Sequence, residues 1–231
     1  MPNPFDAASR PARRTTLALL CASILGAVNA PAALAACVAR PRQTEGPFFV
    51  DEGLDRSDIR SDPRTSETRP GVPLRLGFRV SRFAGQACAP LAGAKIDVWH
   101  SDAQGRYSDI GGFGASTRGQ QFLRGYQTTD ATGAAEFLTI YPGGYAGRAV
   151  HVHFKIRTVD ATGRSRDFTS QLYFDDALTG RVFALEPYAG RHRWLTNAED
   201  PIFRDGGRQL LLTPEPWGEG YAATFEIALP A

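Results

Sequence analysis

Apolar and polar residues alternate over short stretches of this chain from residue 73 onward. "PLRLGFRV" puts Leu74, Leu76, Phe78 and Val80 on one side, the period of a half-buried strand. "AKIDVWH" and "AAEFLTIY" continue the pattern, with "DATG" at 130–133 as the turn before the second. "RAVHVHFKI" is the clearest case: Val150, Val152, Phe154 and Ile156 face one way, and Ala149, His151, His153 and Lys155 the other. "FTSQLYF", "RQLLLT" and "YAATFEIAL" add three more expected strands. Helix-like sequence is confined to Asp175–Gly180 and Thr196–Phe203. The 24 Gly and 16 Pro leave no room for long helices. Short strands joined by turn chemistry predict an all-β fold, a single-domain β-sandwich with long loops. Residues 73–231 form the expected sandwich and 37–72 an N-terminal arm across it. "IGGFGASTRGQQ", 110–121, reads as a mobile loop.

The first 36 residues follow different rules. Arg10, Arg13 and Arg14 precede the apolar run "TTLALLCASILGAV", which ends in the small residues of "NAPAALAA". That is the layout of a secretory signal, and the run is too short for a membrane span. Arg13-Arg14 leaves a twin-arginine or an ordinary export route open. Removing this segment from a chain with 26 basic and 24 acidic residues leaves 23 of each. With no basic run interleaved with aromatics, nucleic acid is not an expected partner. Cys21 would be lost with the signal. Cys37 and Cys88 are then expected to pair in an oxidising compartment, periplasmic or secreted. Lipid anchoring at Cys37, suggested by "LAAC", is less favoured because it strands Cys88.

Chemistry concentrates in "PGGYAGRAVHVHFKI", 142–156. Two imidazoles on one strand face can present themselves to a metal, but H-x-H alone is a weak sign. A cupin-type site needs a Glu shortly after the second His; Phe154, Lys155, Ile156 and Arg157 stand there instead. A zinc or copper site would have to recruit His100 and His192, which nothing orders relative to the pair. Tyrosine is the remaining oxygen donor nearby. Its phenol ionises near pH 10, so a strongly Lewis-acidic cation such as ferric iron is needed to take it as phenolate near neutrality.

"QTEGPFFVD", "AKIDVWHSDAQGRYSD", "FLRGYQTTDATGAAEFLTIYPGGYAGRAVHVHFKI" and "TSQLYFDD" occur in this order. In these motifs the chain resembles the intradiol ring-cleavage dioxygenases, near their protocatechuate and hydroxyquinol members. The resemblance implies a prealbumin-like sandwich holding one non-haem Fe(III) through Tyr107, Tyr145, His151 and His153. It implies a small aromatic diol and O2 as partners, cleavage between the two hydroxylated carbons, and a muconate-type diacid as product. Tyr145 would be the tyrosinate that leaves when the diol chelates the metal. Arg148 would stabilise negative charge on the ring, and Gln171 would contact the same region. Tyr126, Tyr141, Tyr173, Tyr188 and Tyr221 are expected to be core or rim residues, Trp99 a core residue, and His100 structural. His192 is expected to be solvated or packed on Trp194, and "EGPFF" to line the substrate mouth. The helical dimerisation segment of catechol-specific members is not seen in the chain, which favours the smaller protocatechuate-type sandwich; a homo-oligomer is left open. A transthyretin-like binding module is the non-enzymatic alternative, against which the four intact ligand positions count.

Overall fold

A computed structural model describes residues 37–84, 87–111, 116–160, 162–190 and 194–230. The expected export segment, 1–36, and His192 lie outside them. Among the described residues nine strands form two packed sheets: β1 (Pro73–Ala84), β2 (Ala87–Pro90), β3 (Lys95–Trp99), β4 (Arg124–Thr128), β5 (Ala134–Ile140), β6 (His151–Val159), β7 (Ser165–Tyr173), β8 (Glu215–Trp217) and β9 (Gly220–Leu229). One sheet runs β4-β3-β6-β7; the other runs β2-β1-β9-β8, with β5 also beside β1. The all-β sandwich is therefore the observed fold. No helix among the described residues is long and apolar enough to cross a membrane.

The alternation explains the packing. Leu74, Leu76, Phe78 and Val80 of β1 meet Val152, Phe154 and Ile156 of β6 between the sheets, all essentially inaccessible to solvent. Phe78 sits against Phe137, Phe154 and Phe225, with ring centroids 5.5–6.3 Å apart. A second, smaller aromatic group of Phe48, Trp99 and Tyr107 lies apart from that core.

One expectation needs correction. "RQLLLT" is not a strand: residues Gly207–Leu210 form a 3-10 turn, entered through Gly206 at φ +80°, and the segment meets the sheet through an isolated bridge between Leu211 and Tyr173, with the Leu212 N–H donating to the Tyr173 carbonyl at 2.9 Å. Leu210 and Leu212 are buried as anchors of that turn, so apolar content alone misled the periodicity. Trp99 is buried, as expected of a core residue, but in the smaller aromatic group and not between the sheets. Its position opposite His153 in the β3–β6 register turns it to the outer face, where it stacks on that imidazole at 5.0 Å. The helical stretches are real but redistributed: α1 spans Asp176–Phe183 and α2 only Pro201–Arg204.

The arm laces the sandwich on both open sides. Ala228 N–H donates to the Val38 carbonyl and Gln43 N–H to that of Thr169, so residues 38–43 pass from β9 to β7. Farther on, Tyr126 N–H donates to Leu54 O, Arg56 N–H to Tyr126 O, and Leu138 N–H to Ser57 O, carrying the chain from β4 to β5. Cys37 is bonded to Cys88 of β2, Cα atoms 5.5 Å apart, which ties down the start of the arm. Between the two crossings, residues 44–53 run over the outer face of the first sheet, and the candidate site lies beneath them.

Candidate metal centre

Register places the strand-borne side chains. His153 pairs with Trp99 on one side and Gln171 on the other, and His151 pairs with Tyr173. Directly paired residues share a face, so both imidazoles, Gln171 and Tyr173 stand together on the outer face. Arg148 lies before the first residue of β6, in a turn, and strand alternation does not govern where it points.

Two loops bring the tyrosines. In "SDAQGRY", the Asp102 carboxylate accepts from the backbone N–H groups of Gln104 and Arg106, at 3.0 Å each, and from Arg106 Nε at 3.0 Å. The turn so formed delivers Tyr107. "PGGY" delivers Tyr145 and packs directly on that turn: a Cβ at Gly143 would sit 2.6 Å from the Ala103 carbonyl, a distance only glycine allows. Gly105, at φ +77°, makes the matching approach to Gly144. Behind Tyr107, the buried Arg124 guanidinium donates to Ser108 Oγ at 2.7 Å and to the carbonyl of Ser108 at 2.5 Å. Phe48 of the arm stacks on the Tyr107 ring at 4.5 Å.

Four donors converge on one point. His151 Nε2 lies 3.0 Å from His153 Nε2, 3.1 Å from Tyr145 Oη and 3.5 Å from Tyr107 Oη. His151 Nδ1 is 2.6 Å from the Ala149 carbonyl, so the ring proton belongs there and Nε2 offers only a lone pair. One lone pair cannot serve three neighbours as a hydrogen-bond acceptor, whereas ligand atoms about 2 Å from a shared cation lie about 3 Å from one another. Burial, and next the Arg148 charge, depress the His151 pKa to about 3. Burial, followed by the charge of His151, holds the His153 pKa well below the usual imidazole value. Both rings are therefore neutral, as ligation requires. Burial raises the phenol pKa of Tyr107 well above its ordinary value and also raises that of Tyr145. Only a strongly Lewis-acidic cation would draw off those protons near neutrality. Among the described residues no cluster of three or more His, Cys, Asp and Glu side chains could hold a metal. The donor set fits Fe(III).

Arg148 borders this point. Nη1 is 3.4 Å from His151 Nε2, and Nη2 donates to Gln171 Oε1 at 2.6 Å. Burial works against its charge, but Tyr145 and Asp200 outweigh it and raise its pKa. Gln171 Nε2 donates to the Thr44 carbonyl at 2.9 Å, and Tyr173 Oη donates to Gln43 Oε1 at 2.8 Å, which locks the arm to the site. Of "EGPFF", Glu45 pairs with Lys155, and Phe48 and Phe49 pack on Tyr107 and Trp99. Tyr141 and Tyr188 stay in the core, bonded to Thr179 and to Val72 and Tyr141 respectively. His100 is structural, its ring nitrogens taken by Ser101 O and Thr139 Oγ1. Two groups at the site escaped the sequence reading. Tyr173, expected at the core or rim, bonds the arm and lies 3.5 Å from Arg148. Asp200, 0% exposed, anchors Arg148.

The family model described as "Dioxygenase" matches residues 44–180, more than half of the chain. This chain is an intradiol ring-cleavage dioxygenase family member. The match takes in Tyr107, Tyr145, Arg148, His151, His153 and Gln171. Among curated proteins, catechol 1,2-dioxygenase 1 of Acinetobacter lwoffii is 29% identical over 162 residues, 59% of this chain and 49% of that protein. The protocatechuate 3,4-dioxygenase beta chain of Burkholderia cepacia is 30% identical over 168 residues, 68% of this chain and 70% of the relative. The solved intradiol ring-cleavage dioxygenase from Tetranychus urticae superposes with a TM-score of 0.70 at 29% identity, over 83% of this chain and 94% of that one. The chain spans about half the length of the catechol- and chlorocatechol-cleaving relatives that it matches.

Proposed function

We propose that this family member uses non-haem Fe(III), held by Tyr107, Tyr145, His151 and His153, to open a catechol-type ring between its hydroxylated carbons, giving a muconate-type diacid. The observation that carries the reading is the convergence of two phenols and two neutral imidazoles on His151 Nε2. Bound Fe(III) would supply the Lewis acidity that holds both diol oxygens as their protons leave and prepares the ring for attack by O2.

The chain's own groups have separate tasks. Tyr145 is partly exposed and Tyr107 buried, so Tyr145 is the phenol that a substrate can reach; its Oη takes up one diol proton. The Arg148 guanidinium stabilises the negative charge that develops on the ring, as fixed dipoles and cations do at an oxyanion. Gln171 keeps Arg148 in place, and Phe48 and Ile110 shield Tyr107 from water. Export belongs to this proposal and is supported by the Cys37–Cys88 bond, which suits an oxidising compartment.

Tyrosinate-to-iron charge transfer gives such a centre a red colour. Protein from iron-replete cells is expected to carry one iron and a broad visible band that shifts with catechol. It should also take up O2 with one or more of catechol, protocatechuate, hydroxyquinol and chlorinated catechols, with the diacid as product. A colourless, iron-free preparation without O2 uptake overturns the proposal.

A further inference from the structure

Asp200 stands 20 residues beyond the segment matched by the family model, on the loop that leads into α2. It is fully buried, yet both its oxygens are engaged. Oδ1 accepts from the Ile202 N–H at 2.8 Å, an ordinary helix cap. Oδ2 has nothing to do with the helix. It accepts from Arg148 Nε at 3.0 Å and from the Ala149 N–H at 2.9 Å. The same loop holds the backbone just before β6, because the Leu195 N–H donates to the Arg148 carbonyl at 3.0 Å. A cap on a four-residue helix would need only the first oxygen and no burial.

The guanidinium is planar, so fixing two of its edges fixes the third. Asp200 takes the Nε edge and Gln171 takes Nη2, which leaves Nη1 pointed at His151 Nε2. We propose that Asp200 is the positioning residue for Arg148: it touches neither metal nor substrate, and it sets where the guanidinium charge stands during ring cleavage. The inference rests on the function proposed above. It extends the working site to the C-terminal loop, a segment outside the family match.

The test compares wild type, Asp200→Asn, Asp200→Glu, Arg148→Ala and the double variant Arg148→Ala/Asp200→Asn. In iron-loaded protein, Asp200→Asn is expected to lower kcat about 10–100-fold, the usual cost of losing such a support. KM stays within about threefold and the visible band is unchanged, since the four donors are untouched. In iron-free protein, reaction of Arg148 with phenylglyoxal, followed on its peptide by mass spectrometry, is expected to be about tenfold faster than in wild type. Asp200→Glu, which keeps the charge and displaces it by one methylene, falls between the two in both readouts. If Asp200 works through Arg148, the double variant is no slower than Arg148→Ala. Wild-type kcat and labelling in Asp200→Asn overturn the proposal; so does loss of the band, which marks a general structural role. Should Asp200→Asn not fold, wild-type labelling of Arg148 in Asp200→Glu overturns it. A wild-type protein with neither band nor O2 uptake refutes the proposed function instead, and the labelling comparison still decides the clamp.

Discussion

Around His151 and His153 the two faces of β6 are both buried and chemically opposite. Val152, Phe154 and Ile156 on the inner face are 0% exposed, and His151 and His153 on the outer face are 2% and 1% exposed. The inner side chains meet the facing sheet, whose own alternation supplies matching apolar shape. The outer ones are polar and need specific partners when buried. Those partners arrive from the arm, the Tyr107 turn, the Tyr145 loop, β7 and the Asp200 loop. One face thus holds the molecule together through packing that many apolar side chains could provide, and the other assembles chemistry from segments far apart in sequence.

The comparison can be broken from the inner side first. Phe154→Ala is expected to cost about 3–5 kcal/mol in denaturant unfolding, through lost burial and the cavity left behind, while iron binding by the folded fraction survives. Loss of the visible band in still-folded protein would show that the faces are not separable. From the outer side, Tyr107→Phe removes one hydroxyl. Stability should stay within about 1 kcal/mol, while much of the visible band bleaches and turnover drops at least about 100-fold. Unchanged colour and rate would mean that Tyr107 is not a ligand.

The smallest effect concerns His100, the polar residue that reaches across to Thr139 of β5. Burial, against a smaller opposing contribution from its bond to Ser101, lowers its pKa to about 4. The unfolded chain takes up this proton below about pH 6.5, whereas the folded one resists until near 4. Its contribution is therefore complete above pH 6.5 and is lost as the pH falls towards 4, by about 2 kcal/mol between pH 6.5 and 5. Unfolding of iron-free wild type and His100→Gln across that range should show the steeper decline in wild type. Parallel curves would refute the assignment.

The strands of the inner core could be read in the sequence because alternation is a local signal: β1, β3, β5, β6, β7 and β9 all carry it. β4 does not. "RGYQT" has no apolar face, and it becomes a strand because β3 and arm residues Leu54 and Arg56 take its hydrogen bonds. At the site, Tyr107, Tyr145, Arg148 and Gln171 were named through motif resemblance, and the fold brings them together with the two histidines. Spacing alone could not have done so, since two loops packed glycine against carbonyl set where the tyrosines meet. Asp200 was invisible because an Asp before Pro201 reads fully as a helix cap; only the use of its second oxygen shows otherwise. Tyr173 looked like any other strand tyrosine, and its register opposite His151 gives it away.

The double crossing of the arm has a consequence for how molecules of this protein can meet. Strand edges are where separate chains most readily zip together. Here β9, β7, β4 and β5 already spend edge groups on residues 38–59, and β8 carries Pro216, which has no N–H to offer. At those positions a neighbour finds no ladder left to extend, and self-association there would have to be written in side chains.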